Sequence, residues 1–257
     1  MNGLGNTPRA KGEMTVKRNF TSEELLTRWE ARRELQNIMG KLTQSYLMME
    51  EALIYDRWWS KRPDVCLGVN TGWYSGAEAV KGYYDALGAK IQLASDIIAK
   101  TFPEKLAGKT KEELYGVGQL GVKPVDTFII EIAGDGKTAK GLWSLHGTYA
   151  DMTPSGPVSL WDWGYYCVDF VQEDDGWKIW HMQYLTDINN PTGSDWAGEP
   201  TVFPEDPNFA PMKEFKFPAP NVPAQLRENY YPGRPFTETP PLPEPYETFA
   251  ETFSYGM

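Results

Sequence analysis

Histidine and cysteine are nearly missing from this chain, with two of each among 257 residues. Cys66 and Cys167 are too few for a disulfide framework or a thiolate metal site. His146 and His181 stand in neither HxH nor HxxxH spacing, so no motif supports a metal. Positive charge is short as well: 25 basic residues against 35 acidic ones leave a net charge of −10. That balance argues against a nucleic-acid partner or an anionic membrane, whose phosphates would be repelled. No apolar run approaches the roughly 18 residues of a membrane span, and the polar first twenty residues lack the apolar stretch of a signal peptide. A cytoplasmic protein with reduced thiols is expected. There is no Rossmann or P-loop glycine pattern and no GxSxG elbow, so no cofactor is expected either.

What the chain does have is rings, at 14% aromatic content, and 41% hydrophobic residues to build a core. Three regions differ in composition. Residues 1–19 read as a flexible leader, 20–190 as one folded domain, and 191–257 as a proline-rich arm holding fourteen of the twenty prolines. The arm also carries many rings, from Trp196 to Tyr255. A disordered tail is poor in such residues, so the arm is expected to be ordered and to lie on a neighbouring subunit.

The domain opens on FTSEELL, where Thr21 and Glu24 fit a capping box. Apolar residues then recur at helical spacing from Leu25 to Met49. A second short helix is expected around ALIYDRWW, a strand at DVCLGV, and a turn-rich NTGWYSG. Ser75 is expected to cap a helix with Val80, Tyr84, Leu87 and Ile91 on its inner face. Residues 101–124 form an excursion without a clear pattern. Strands DTFIIEIAG, TAKGLWSLHGTYAD and SLWDWGYYCVDFVQED follow, and DDG turns into WKIWHMQYL. The order predicts an α+β fold, a curved antiparallel sheet packed on helices.

The helical hairpin ending in DRWW, then GWYSGAEAVKGYYD, TAKGLWSLHGTY and GYYCVDFVQEDDGWKIWHMQY, together resemble the SnoaL-like branch of the NTF2-like superfamily over residues 22–188. The resemblance implies a cone-shaped scaffold, which hosts enzymes and inert binding modules alike. The aromatic arm ending in PPLPEPYETFAETFSY resembles an extended subgroup that includes cofactorless diarylpropane lyases. That likeness implies a homotrimer held through the sheet face and the arm.

Strand neighbours alternate faces. The resemblance turns Trp177 and Ile179 into the cone, which would carry His181 and Gln183 inward; otherwise His181 is a hydrogen-bonded core or interface histidine. His146 alternates with Trp143, Leu145 and Tyr149, so inward rings would send it outward. Asp169 lies ten residues before Ile179. Similarity to ketosteroid isomerase there implies a carboxylic acid kept neutral among rings, the alternative being a solvated strand end. Tyr46 and Glu50 share a helix face at i, i+4, an arrangement similar to that of scytalone dehydratase, with Glu51 as a solvated neighbour. Tyr46, Glu50, Asp169 and His181 are therefore the catalytic candidates. Trp59, Tyr84, Trp143, Tyr149, Trp163, Tyr165 and Gln183 are the candidate walls of a site for a small aromatic substrate. The reading is a cofactor-independent lyase or dehydratase, with deformylation of a lignin-type diarylpropane diol as its most specific form. A non-catalytic binding module is the alternative.

Overall fold

A computed structural model describes residues 19–153, 156–197, 215–234 and 240–257. The expected leader falls almost wholly outside them. Helix α1 (Ser22–Leu47) starts where the sequence places it: Thr21 Oγ1 accepts from Glu24 N–H while the Glu24 carboxylate accepts from Thr21 N–H. Leu35, Ile38, Met39, Leu42 and Tyr46 form its buried stripe. Its first turns overhang the body, so Leu25 and Trp29 stay exposed despite their helical spacing.

Met49 takes a left-handed φ of 56°, and the chain turns there into a 3-10 turn (Glu51–Leu53) and α2 (Ile54–Trp58). The pair β1 (Cys66–Val69) and β2 (Gly72–Ser75) is an antiparallel hairpin. The segment read as turn-rich is therefore half strand. Helix α3 (Ala77–Thr101) is led in by Gly76 at φ 91°, not capped by Ser75. A side chain at that φ would be strained, which is why glycine stands there. The excursion at 101–124 resolves into two four-residue helices, α4 (Pro103–Leu106) and α5 (Lys111–Leu114), and the edge strand β3 (Leu120–Val122).

The main sheet follows as β4 (Val125–Ile132), β5 (Thr138–Thr153), β6 (Gly156–Glu173) and β7 (Gly176–Ile188). The strand order is β3-β5-β6-β7-β1-β2-β8, with β4 also on β5 and β1 parallel to β7. The short β8 (Val222–Pro223) comes from the arm. Helices α1 and α3 cover one face, where Trp143, Leu145, Tyr166, Val168, Phe170, Ile179 and Met182 join the core. Rings and stems that bury this much apolar area supply the main folding drive. The class is α+β with helices on a curved, largely antiparallel sheet, as the sequence predicts.

Register decides everything about function here. Asp169 pairs with His181, but the next residue, Phe170, pairs with Ile179. Trp180 is thus an extra residue in β7, a β-bulge, and it exchanges the two faces of the strand. Trp177 and Ile179 do face the helices. Beyond the bulge Met182 and Tyr184 continue that inner face, while His181, Gln183 and Leu185 look out.

Candidate active site

The inner face closes over a cavity of about 200 Å³ between the end of α1, the middle of α3, the β3–β4 segment and the far ends of β5–β7. Leu87, Ile91, Ala94, Leu120 and Met49 supply apolar wall; Tyr46, Glu51, Lys123, Asp162 and Tyr184 supply the polar side. The turn at Met49 brings Glu51, not Glu50, inward. Helix α3 approaches this turn closely, since a Cβ on Gly88 would lie 2.8 Å from Ala52 Cβ. Only glycine admits that approach.

Glu51 is 7% exposed, and its Oε2 is buried without a hydrogen-bond partner among the described residues. Burial pushes its carboxyl up to about 7, against the pull of its own backbone N–H and of Lys123 and Lys90. Beside it, Lys123 Nζ lies 2.5 Å from Asp162 Oδ2. Tyr184 donates to the same carboxylate at 2.6 Å, and Lys123 donates to the Tyr184 hydroxyl at 3.1 Å. Desolvation alone would lower the Lys123 pKa, but Asp162, together with Tyr166 and Tyr83, outweighs it and holds the ammonium charged. The ammonium sits 4.5 Å over the Tyr46 ring, a contact strengthened by exclusion of water. Burial raises Tyr46 well above its ordinary value, with neighbouring tyrosines adding to the effect, so its hydroxyl keeps its proton. The cavity therefore joins a carboxyl that titrates near neutrality, a phenol that stays protonated, and a fixed cation.

Of the catalytic candidates read from sequence, only Tyr46 lies here. Glu50 is paired with Arg57 on the surface, and that hydrogen bond lowers its pKa. Asp169 and His181 are on the opposite face of the sheet, their side chains 2.9 Å apart. The expectation that these two converge with Tyr46 is overturned by the bulge at Trp180 and by the parity of β6, whose core residues are Tyr166, Val168 and Phe170. Among the expected walls, Tyr149 lines the cavity and donates to Asn189 at 3.1 Å. Trp59, Tyr84 and Trp143 face inward but are packed in the core. Trp163, Tyr165 and Gln183 are outer-face residues. Trp163 sits against His146 and Trp196, Tyr165 against the arm, and Gln183 donates to Tyr255 O at 3.0 Å.

The outer cluster has its own logic. Asp169 is fully buried and accepts from Lys140 Nζ at 2.6 Å, Ser254 Oγ at 3.1 Å and Tyr255 N–H at 2.8 Å. The rings of Tyr246, Phe249, Phe253 and Tyr255 surround the Lys140 ammonium. Burial lowers the Lys140 pKa, and Asp169 opposes the shift. Ser254 and Asp169 both meet the same nitrogen, Nδ1, of His181. A hydrolytic triad needs the two ring nitrogens in separate roles, so this is a clamp on the tail rather than a nucleophile. The described tail packs on the sheet of its own chain.

Glu51, Lys123, Asp162 and Tyr184 were missed by the sequence reading. The signal for Asp162 and Tyr184 was their shared parity with Tyr166 and Met182. Among the described residues no three His, Cys, Asp or Glu side chains converge as a metal site, no helix is long and apolar enough to cross a membrane, and both cysteines are free and buried.

Residues 112–183 match the family model of the SnoaL-like domain. The match covers under a third of the chain, from α5 to β7. No curated protein matches it. Among solved structures, the hexachlorocyclohexane dehydrochlorinase LinA-type3 of Novosphingobium barchaimii LL02 is similar at 14% identity, over 68% of this chain and 99% of that one, with a TM-score of 0.42. A protein of Novosphingobium aromaticivorans, named as a candidate scytalone dehydratase, is similar at 10% identity, over 70% and 96%, with a TM-score of 0.44. An NTF2-like protein with a cystatin-like fold from the same species shares 14% identity over 68% and 93%, with a TM-score of 0.40.

Proposed function

We propose that this protein is a cofactor-independent lyase or dehydratase acting on a small aromatic molecule in the cavity beneath α1 and α3. The unpartnered, buried Glu51 carboxyl beside the Tyr46 hydroxyl and the Lys123 ammonium carries this reading. A general base works best with a pKa near the working pH, and Glu51 has one. Glu51 takes a proton from a C–H or O–H of the substrate. Tyr46 gives its proton to the departing oxygen, which leaves as water, and Lys123 stabilises negative charge as it develops.

The most specific form is deformylation of a 1,2-diarylpropane-1,3-diol. The C3 hydroxyl loses its proton to the base and the C2–C3 bond breaks, releasing formaldehyde. That electron pair forms the C1=C2 double bond of a stilbene while the C1 hydroxyl leaves as water with the proton of the acid. The cavity, at about 200 Å³, lies below the roughly 300–1,000 Å³ of common ligand pockets. One aryl ring fits inside, so the second ring of such a diol would lie at the mouth beside Leu120. Assembly as a homotrimer through the free part of the sheet face and the arm belongs to the same reading.

The test is turnover of a panel of single-ring hydroxylated compounds and diaryl diols, read as alkene absorbance and formaldehyde. Alkene formation that vanishes in Glu51→Gln supports the lyase. Ligand binding without turnover anywhere in the panel replaces it with a binding module.

A further inference from the structure

The charges around the cavity do not cancel. Lys123 and Asp162 form a tight ion pair with no net charge as a unit. Tyr46 and Tyr184 keep their protons because of burial, and for Tyr184 because of Asp162 as well. Tyr115, which feels Glu51 from the α5 side, is likewise held neutral by burial. Two groups remain: Glu51, unpartnered at one oxygen, and Lys90, which lines the same cavity from α3 and whose charge acts on Glu51. When Glu51 carries its proton, the excess charge at the site is that of Lys90. Lys90 is exposed at the rim of the cavity, so in a chain of net charge −10 it marks the mouth as a place where an anion is favoured.

Resting on the cavity assignment above, we propose that the cavity also takes a one-ring aromatic carboxylate as a competing, inhibitory ligand, its ring against Leu87, Ile91 and Leu120 and its anion toward Lys90, and that its binding takes up a proton on Glu51. The volume sets the one ring. The apolar wall of α3 and β3 faces the ring, and Lys90 stands on the same helix as Leu87 and Ile91. An incoming anion disfavours a second negative charge nearby, so Glu51 binds a proton when the ligand arrives. While that ligand is bound, the retained proton keeps Glu51 from acting as the base.

Isothermal titration of the full chain with benzoate and with its neutral counterpart benzamide tests the idea. A carboxylate of this kind stays ionised at pH 6–8, so the pH dependence reports the protein. Benzoate should bind at least ~10-fold tighter than benzamide at pH 6, where opposite charge favours it. Its affinity should fall about tenfold from pH 6 to pH 8, as Glu51 loses the proton that binding requires. Titration in buffers of different ionisation enthalpy should show proton uptake near pH 7. Lys90→Gln should erase the preference for the anion, and Glu51→Gln should flatten the pH dependence. Equal binding of benzamide, pH-independent affinity, or an indifferent Lys90→Gln would each overturn the carboxylate while leaving the lyase to its own turnover assay. Failure of both probes to bind would remove the carboxylate and the one-ring pocket together.

Discussion

Glu51→Gln should make the protein more stable, and by an amount that depends on pH. The substitution keeps shape and removes charge. The Glu51 carboxyl rises from 4.5 to about 7 on folding, so the folded state binds its proton more tightly than the unfolded chain. Stability from such a group is fully present below pH 4.5 and is lost as pH rises through 7. Integrating the linkage relation, the wild type gives up about 2 kcal/mol by pH 6 and about 3 kcal/mol by pH 8, relative to low pH. Glutamine has no proton to lose. Urea unfolding of both proteins should therefore show almost no difference at pH 4 and a gap in favour of Glu51→Gln of up to about 3 kcal/mol at pH 8. The same variant should lose turnover, as expected where an active site stores destabilisation for function. A gap of constant size from pH 4 to pH 8, or a less stable variant at pH 8, would refute the assignment of a desolvated carboxyl at the cavity.

The other predictions follow from placement. Tyr46→Phe should lower turnover by ~10²-fold with little change in melting, whereas Glu50→Gln, on the surface, should leave turnover unchanged; equal effects in steady-state assays would reject the cavity. Asp169→Ala strands Lys140, His181 and the Tyr255 N–H, so unfolding in urea should register a loss of about 3–5 kcal/mol, and a loss under about 1 kcal/mol would mean the clamp carries no stability. Truncation after Asn190 should lower the melting temperature by uncovering Leu142, Cys167 and Tyr165; light scattering of the full chain should give a three-chain mass, and a single-chain mass would end the trimer.

Where sequence signals were local they could be read. The Thr21–Glu24 box and the strand–DDG–strand ending of the domain each depend on neighbours a few residues apart, and they marked α1 and the β6–β7 hairpin. The site depended on parity, and parity is fragile. Both faces of β6 are apolar because helices cover one and the tail covers the other, so alternation could not say which face looks into the cavity. Trp180 looks like any strand residue, yet its insertion moves His181 and Gln183 to the other side. The Glu50–Glu51 pair was undecidable for a similar reason. Which carboxylate turns inward is fixed by the left-handed Met49 and by the space that Gly88 leaves, and neither is visible as a spacing.

The clamp on Asp169 also has a place in time. Tyr255 meets a carboxylate 86 positions earlier, and Ser254 meets a histidine 73 positions earlier. During synthesis the sheet emerges long before the segment that covers it, so β5–β7 can pair while their outer face still shows an unsealed ion pair and bare rings. Contacts that span so much chain are slow to close. The interval is also an exposure to other chains with the same sticky face. Docking of the Ser254–Tyr255 segment ends that exposure, so a stretch made late closes a face that was built early.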